Sequence, residues 1–436
     1  MKQQVFFVGT EAEVGHHAKP LRQLLDYRLI EPDDLSQQAN PGDLAIFFSE
    51  HFDRFREAVQ AAKQKQVATL YMIDGILEWR NAWENRSDEP ACPFAMRPVL
   101  SHKVACIGNS QARVLAKWGN AAKVEVVGVP RFDSQAERFV KLQNDTSAVA
   151  DEPQNGPHRL LIMTAKFPAY TDEQNRLLGK SLIDLKTFLD GRADIEVTWR
   201  LTGDWADRLG VENHVRDFSG AELDATLDSV DAVISTPSTA TLESALKNLP
   251  TAILDYSNSP QYVASAWNIT AADHIQQTVD DMITRPARKM FLQQQLLADA
   301  LQFQLNSAER MKKLIVGMLA EAKDCLTENR ELKFPVGMLS GVKTIGGPAL
   351  DHELVFDSFP EFQCDDQIEL QAQLAHARRE VNHLKSQLNQ IQLELSQAHA
   401  IFDEINSHPI AGPIVKIRRK LFAMIEKLKK PKPNPA

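Results

Sequence analysis

The chain has 436 residues, a net charge of −9 at pH 7, 43% hydrophobic residues and 25% charged residues. This length accommodates two domains and an extension, and the composition is that of an ordinary globular protein. The negative charge argues against a general attraction to nucleic acid, so no nucleic-acid partner is expected. Four scattered cysteines without a CxxC pair predict reduced thiols rather than disulfides or a zinc site.

The amino terminus runs directly into an apolar strand, without the pattern of a signal peptide. No uncharged apolar stretch is long enough to span a bilayer. We therefore expect a cytoplasmic protein.

Short apolar strands alternate with helical patterns through the first half of the chain. Strands are predicted at Val5–Val8 and at residues 44–48, 67–72, 103–107 and 124–127, and helices at residues 21–25, 52–65 and 111–118. This alternation predicts a parallel, doubly wound α/β sheet.

The stretch after the first strand, residues 9–20, is predicted to be a loop and ends in GHHAKP. With the following leucine it resembles the GHxxPxL loop of the glycosyltransferase that makes lipid II, and the family's histidine aligns with His17. The resemblance implies that His17 faces a cleft as a general base, a task that suits neutral imidazole. Glu11 and Glu13 stand where the family has glycines. The alternative is an exposed histidine without a chemical role.

Residues 71–85, YMIDGILEWRNAWEN, contain a second candidate group. Asp74 and Gly75 predict a turn at the end of a strand, where the carboxylate points into the crevice of a parallel sheet. Asp74 and Glu78 are candidates for acceptor binding, with Asp74 as the alternative base. As plain turn and helix-start residues they need no function.

The segment VVGVPRFD at residues 126–133 resembles the GxPRxD or GNPxxD segment of CDP-glycerol polymerases and UDP-N-acetylglucosamine 2-epimerases. In those enzymes the segment closes the first domain, so we interpret it here as a marker of the crossover between domains. Arg131 is a candidate partner of Asp133. The polar residues 140–158 that follow have the composition of an exposed linker.

Strands and helices alternate again after the linker. Strands are predicted at residues 159–164 and 195–201 and at Ala232–Ser235 and Thr251–Leu254, and helices at residues 171–189, after Pro237 and through residues 278–325. The second half is therefore predicted to be another Rossmann-like domain. Its last helices resemble those of GT-B folds, which cross back to the first domain.

A polar turn, STPSTATLE, joins the strand Ala232–Ser235 to the next helix. It resembles the SGTATLE donor-site segment of GT-B-type glycosyltransferases, especially lipid A disaccharide synthase. The resemblance implies that Ser238 and Thr239 bind the diphosphate of a nucleotide sugar and that Glu243 binds its ribose. Pro237 replaces the family's glycine and removes a backbone N–H. The alternative is that Ser238 or Thr239 merely caps the helix.

Two basic residues also fall at carboxyl ends of strands in the second half. Lys166 and Arg200 are placed there to neutralise a departing diphosphate, although surface basic residues are common. No DxD string occurs at a strand end. We therefore expect donor binding without a metal and without a cofactor.

Residues 370–405 carry apolar side chains at heptad spacing over five heptads, which predicts a coiled coil and self-association. Residues 407–436 carry eight basic residues and one acidic residue, a net charge of +7. Apolar residues line one face of a predicted helix there, which suits an anionic membrane surface. A helix docked on the acidic body is the alternative.

These patterns predict a first Rossmann-like domain at residues 1–140 on the acceptor side and a second at 159–330 for the nucleotide sugar. A linker at 331–367, the coiled coil at 368–406 and the basic tail at 407–436 follow. The function predicted is a GT-B-like glycosyltransferase acting on a lipid-linked or polysaccharide acceptor at the inner membrane face. A nucleotide-sugar 2-epimerase, a glycerophosphate-type transferase and a non-catalytic coiled-coil scaffold remain alternatives.

Overall fold

The computed structural model describes residues 3–84, 96–144 and 156–339, together with residues 388, 391, 392, 395 and 425. The chain divides into two compact units, Met1–Ser358 and Phe359–Ala436. Both sheets belong to the first unit. Apart from those five single residues, the predicted coiled coil and basic tail lie outside the described residues, as does most of the predicted linker at 331–367.

Each half of the first unit contains one parallel sheet. The first sheet has the order β2-β1-β3-β4-β5-β6, and the second has the order β11-β10-β9-β7-β8. Every neighbouring pair in both sheets is parallel. The strands are β1 Val5–Val8, β2 Arg28–Ile30, β3 Leu44–Phe47, β4 Ala68–Met72, β5 Lys103–Cys106, β6 Val124–Val126, β7 His158–Met163, β8 Ile195–Arg200, β9 Ala232–Ser235, β10 Thr251–Leu254 and β11 Trp267–Ile269.

Helices connect these parallel strands, and they pack against the sheets. They are α1 Glu11–Ala18, α2 Pro32–Gln38, α3 Asp53–Gln64, α4 Asn109–Leu115, α5 Asp133–Asn144, α6 Asp172–Asp190, α7 Trp205–Leu209, α8 Gly220–Asp228, α9 Ala240–Leu246, α10 His274–Thr284, α11 Ala287–Ala300 and α12 Ser307–Thr327. Short 3₁₀ turns lie at Lys19–Leu21 and Pro130–Phe132. The fold class predicted from the sequence, two doubly wound α/β sheets, is confirmed.

The last helix returns to the first half of the chain. Met311, Leu314 and Met318 of α12 are fully buried in the same cluster as Val5 and Phe7 of β1. A separate apolar cluster joins α5 of the first half to α9 and α11 of the second. The two halves of this unit are therefore held together by buried apolar contacts.

The prediction of a loop over residues 9–20 is wrong, because helix α1 occupies most of it. Thr10 and Glu13 form a capping box in which the Thr10 side chain accepts from the Glu13 N–H and the Glu13 carboxylate accepts from the Thr10 N–H. Those two bonds satisfy backbone donors that a helix start otherwise leaves free. The predicted helix over residues 21–25 is also wrong, since Lys19–Leu21 forms a 3₁₀ turn.

Gly108, the residue before α4, lies against the backbone at the end of α11. A β-carbon there would lie 2.2 Å from the Ala300 carbonyl oxygen and 2.7 Å from the Leu301 nitrogen. Since backbone atoms have no rotamer with which to move aside, we expect Gly108→Ala to lower the free energy of unfolding by about 1–3 kcal/mol. Urea unfolding measures this, with Gly220→Ala as control because its β-carbon meets nothing within 4 Å. Equal stability of the two variants would contradict this packing.

None of the helices among the described residues is long and apolar enough to cross a bilayer. The two described cysteines, Cys106 and Cys325, are buried free thiols. Cys92 and Cys364 lie outside the described residues.

Candidate functional site

The topology of each sheet fixes where a ligand crevice is expected. In a doubly wound sheet, ligands bind outside the carboxyl ends of the strands where the strand order reverses. These points lie between β1 and β3 in the first sheet and between β7 and β9 in the second. His17 follows β1, while Lys166 follows β7 and the turn containing Ser238 follows β9. His17, Lys166 and Ser238, all predicted site residues, therefore follow the strands at which the strand order reverses.

The two candidate bases, His17 and Asp74, form a hydrogen-bonded pair. Nε2 of His17 lies 2.7 Å from Oδ2 of Asp74, which follows β4. The His17 ring is buried and stacks on Phe48, with the ring centroids 5.0 Å apart. When Nε2 donates to the carboxylate, the neutral ring carries its lone pair on Nδ1, the atom that could accept a proton.

The Asp74 carboxylate is electrostatically suited to be the partner of a protonated histidine. Burial raises its pKa, but the hydrogen bond from His17 and the positive charge of Arg131 outweigh burial, and the net pKa is lowered. The carboxylate therefore stays ionised near neutral pH. An ionised carboxylate orients an imidazole and stabilises the imidazolium that proton transfer produces.

His16 lies beside this pair and raises the question of a metal. The ligand atoms of His16, His17 and Asp74 all lie within 4.8 Å of one another. However, two ligands on a tetrahedral zinc ion are about 3.3 Å apart, as Zn–N and Zn–O distances of about 2.0–2.1 Å require, and here Nε2 and Oδ2 are closer. Burial lowers the pKa of His16, and the positive charges of Arg131 and Lys166 lower it further. Such cations disfavour a bound metal, so we interpret His17 and Asp74 as a candidate proton-transfer pair, with His16 beside it.

Thr239 in the second half is in direct contact with the loop that carries Asp74. Its Oγ1 accepts a 3.1 Å hydrogen bond from the N–H of Ile76. A β-carbon on Gly75 would lie 2.4 Å from the same oxygen, so only glycine permits this approach. Because a hydroxyl both donates and accepts, the Thr239 O–H remains available to a ligand oxygen.

The structure agrees only in part with the alternative that Ser238 or Thr239 merely caps the helix. Thr239 occupies the N-cap position of α9, but its side chain makes no capping bond. The Oγ of Ser238 accepts from the N–H of Ala240 at 3.2 Å. The Ser238 carbonyl accepts from the hydroxyl of Thr241 at 2.7 Å. Ser238 thus orders the turn, and its hydroxyl proton, like that of Thr239, is free to donate.

Glu243 is buried, and its partner is a residue that the sequence assigned to a different role. Nη1 of Arg131 lies 3.3 Å from Oε1 of Glu243. The predicted pairing of Arg131 with Asp133 is wrong, because the Asp133 carboxylate accepts from the N–H groups of Ser307 and Ala308 at the start of α12. The signal for Arg131 in the sequence was its position in VPRFD directly after a strand.

Burial raises the pKa of Glu243, while the charges of Arg131 and Arg200 oppose that rise. Arg200, the last residue of β8, is itself buried, and its guanidinium lies over the Phe218 ring at 5.0 Å. Its Nε is 3.6 Å from Oε2 of Glu222, and neither atom has a hydrogen-bond partner in the described structure. Arg200 therefore contributes charge to the site with unused hydrogen-bonding capacity.

Lys166 is exposed and lines a polar pocket with a volume of about 330 Å³. The pocket lies at the ends of β7 and β8 and includes Tyr170, Thr202 and Trp205 in its wall. Its volume falls within the range of about 300–1,000 Å³ that is usual for small-molecule sites. Lys166 is also close enough to His16 for its charge to lower the pKa of that imidazole. The charge on the wall of this pocket therefore acts on the histidine pair of the first half.

Glu78, the other predicted acceptor carboxylate, has a structural partner. It accepts a 2.8 Å hydrogen bond from Nη2 of the buried Arg80, whose Nη1 donates to the carbonyl of Pro168 in the second half. Burial is the largest influence on the pKa of Glu78 and raises it, against the lowering effect of Arg80. Glu78 therefore helps to hold the two halves together.

No known family model and no curated protein matches this sequence. Among solved structures, the chain is similar to S. aureus MnaA in a structure with UDP, at 12% identity and a TM-score of 0.48, covering 77% of this chain and 100% of that one. The UDP-GlcNAc 2-epimerase from Neisseria meningitidis bound to UDP-GlcNAc is similar at 11% identity and 0.46, covering 75% and 99%. The wall teichoic acid polymerase TagF is similar at 12% identity and 0.48, covering 74% and 89% in its H444N variant. These TM-scores lie below 0.5, so the fold is established by the order and register of the two sheets themselves.

Proposed function

We propose that the chain is a metal-independent glycosyltransferase that moves a sugar from a nucleotide-sugar donor to a lipid-linked or polysaccharide acceptor at the cytoplasmic membrane face. The hydrogen bond between the Ile76 N–H and Thr239 carries this proposal. Ile76 is two residues after Asp74, a chain distance of at most about 7.6 Å. This bond supports the proposal because it brings the turn of Ser238 and Thr239 next to the loop that carries Asp74, from the opposite half.

In this proposal His17 removes the proton of an acceptor hydroxyl, and Asp74 holds the ring through Nε2 and stabilises the imidazolium. The acceptor oxygen then bonds to the anomeric carbon, while the bond from that carbon to the diphosphate oxygen breaks. The electron pair leaves with the diphosphate. Hydroxyls of Ser238 and Thr239 and the cations Lys166 and Arg200 stabilise that charge.

A nucleotide-sugar 2-epimerase differs from a glycosyltransferase because its reaction needs no acceptor. Incubating the protein with UDP-GlcNAc alone separates the two reactions, because an epimerase produces the 2-epimer and a glycosyltransferase does not. A non-catalytic scaffold turns over no nucleotide sugar, even when membrane lipids or polysaccharide are added.

The first experiment is a thermal-shift screen of nucleosides, nucleoside diphosphates and nucleotide sugars, since a ligand that binds the native state raises the unfolding temperature. At least one nucleoside diphosphate is expected to stabilise the protein. Failure of all of them to do so would contradict the proposed function.

With that nucleotide, Glu243→Ala is expected to weaken binding by about 1–3 kcal/mol, the cost of a lost hydrogen bond to a charged group. Titration calorimetry measures the change. Glu173→Gln is the control, because Glu173 is an exposed carboxylate on α6 paired with Arg176. Unchanged affinity in a folded Glu243→Ala protein would remove Glu243 from the donor site.

A further inference from the structure

Arg131 lies between the two halves of the candidate site, although its sequence motif marked only a domain crossover. It follows β6 in the 3₁₀ turn Pro130–Phe132 of the first half, and Glu243 is on α9 of the second. Its positive charge helps to lower the pKa of Asp74 and opposes the rise that burial causes in the pKa of Glu243. The guanidinium therefore acts electrostatically on the base dyad and on the predicted ribose carboxylate.

The contact between Arg131 and Glu243 is weak for a buried ion pair. It is one hydrogen bond of 3.3 Å, slightly longer than the usual range of about 2.7–3.2 Å. By comparison, Arg113 binds Asp299 through two parallel bonds of 2.9 and 2.6 Å. The Nε of Arg131 is buried and has no hydrogen-bond partner within the described residues. A guanidinium has five N–H donors, so most of its bonding capacity is unused here.

The Phe132 ring holds the guanidinium in position, with Cζ of Arg131 4.1 Å from the ring centroid. Stacking of this kind fixes the plane of the guanidinium without using its N–H groups. A planar, fixed fork of donors is the arrangement that binds phosphate oxygens in a bidentate manner. A phosphate would therefore satisfy Arg131 better than Glu243 does.

We propose that Arg131 exchanges partners when the donor binds, leaving Glu243 for the diphosphate while Glu243 turns to the ribose hydroxyls. This inference rests on the proposed function. In this exchange Glu243 always has a polar partner, first Arg131 and then the ribose, since an unpaired buried carboxylate is costly. The exchange also supplies a cation from the base-bearing half to the departing diphosphate.

The test compares ligands that have phosphates with ligands that lack them. For the nucleoside diphosphate that binds the wild-type protein, chosen from UDP, CDP, GDP and ADP, affinity is measured by calorimetry together with that of its parent nucleoside. Arg131→Gln is expected to weaken diphosphate binding by about 10- to 100-fold, the effect of losing a charged hydrogen bond. Binding of the nucleoside is expected to change less than about threefold. Arg131→Lys keeps the charge but not the planar pair of donors. Its diphosphate affinity is expected to lie between those of the wild type and Arg131→Gln.

Arg138→Gln is the matched control, because Arg138 is exposed on α5, 4.0 Å from Asp224, and its replacement removes the same charge. Its diphosphate binding should equal that of the wild type. Equal losses in the Arg138 and Arg131 variants, or an equal loss of nucleoside and diphosphate in Arg131→Gln, overturn the exchange while leaving the donor site in place. If the wild type binds no diphosphate, the proposed function fails, and the exchange fails with it. If Arg131→Gln does not fold, Arg131→Lys decides, because wild-type diphosphate affinity there overturns the bidentate role.

Discussion

Replacing His17 by alanine is expected to lower turnover by about 10²–10⁴-fold, because general-base catalysis contributes a factor of that size. Binding of the donor is expected to stay nearly unchanged, since the predicted donor ligands Ser238, Thr239 and Glu243 all lie in the other half of the chain. The assay follows release of the nucleoside diphosphate from the donor identified by the thermal-shift screen, with membrane lipid extract as acceptor. Calorimetry with the same nucleotide checks that the site is intact.

The neighbouring histidine provides the control for this experiment. His16 lies next in sequence, and its ring centroid is 3.5 Å from that of His17, but the hydrogen bond to Asp74 belongs to His17. His16→Ala should therefore lose much less activity than His17→Ala. Near-normal turnover in His17→Ala would remove His17 from the mechanism.

Asp74→Asn distinguishes the two possible bases. If His17 is the base, Asp74→Asn loses activity because the ring is no longer held in the correct tautomer, and the loss is no larger than that of His17→Ala. If Asp74→Asn is inactive while His17→Ala is active, the carboxylate itself takes the proton. The double variant His17→Ala/Asp74→Asn should lose about as much activity as His17→Ala alone, because the effects of residues that act as one unit are not additive.

Much of the sheet framework could be predicted because its strands are buried on both faces. β9 and β10 are short apolar runs between polar residues, with Pro250 ending the intervening helix, and their bounds were predicted without error. Continuous apolar runs of this kind are typical of parallel sheets. β2 and β11 have three residues each, too few for any periodicity to be detected, and they were missed.

The site was less predictable than the framework. Helix α1 has a local signal in the sequence, the Thr10 and Glu13 capping box, which the prediction of a loop overlooks. The pairing of Arg131 with Glu243 joins residues 112 positions apart. The bond from Ile76 to Thr239 spans 163 positions. Contacts between positions so far apart produce no periodic pattern in a single sequence. They could therefore be identified only in the folded structure.

The proposed location at a membrane depends on the carboxyl-terminal segments. Three positions of the predicted heptad seam, Leu388, Ile391 and Leu395, are helical and have exposed side chains. Exposed apolar residues at heptad spacing are what a coiled coil buries on self-association. We therefore keep a homo-oligomer as part of the proposal. Pairing would bring two basic tails to the same surface and raise the apparent affinity through avidity.

Removing the basic tail is expected to abolish binding to anionic liposomes. The tail at residues 407–436 carries a net charge of +7. Each basic residue near an anionic surface contributes about 1 kcal/mol, screened by salt. Its apolar residues Ile414, Ile417 and Leu421 add insertion into the interface. Co-sedimentation of the full chain and a chain ending at Asn406 measures the effect.

The full chain is expected to sediment with anionic liposomes and not with neutral ones, and to be released by high salt. A full-length variant with Lys416, Arg418, Arg419 and Lys420 changed to glutamine is the matched control, because it keeps the apolar face and removes half of the basic residues. Loss of binding in this variant assigns the attraction to charge. Equal sedimentation of the full and truncated chains would place membrane binding elsewhere in the molecule. Absence of binding by either chain would leave the tail as a helix docked on the acidic body, and the proposed location at the membrane would fail.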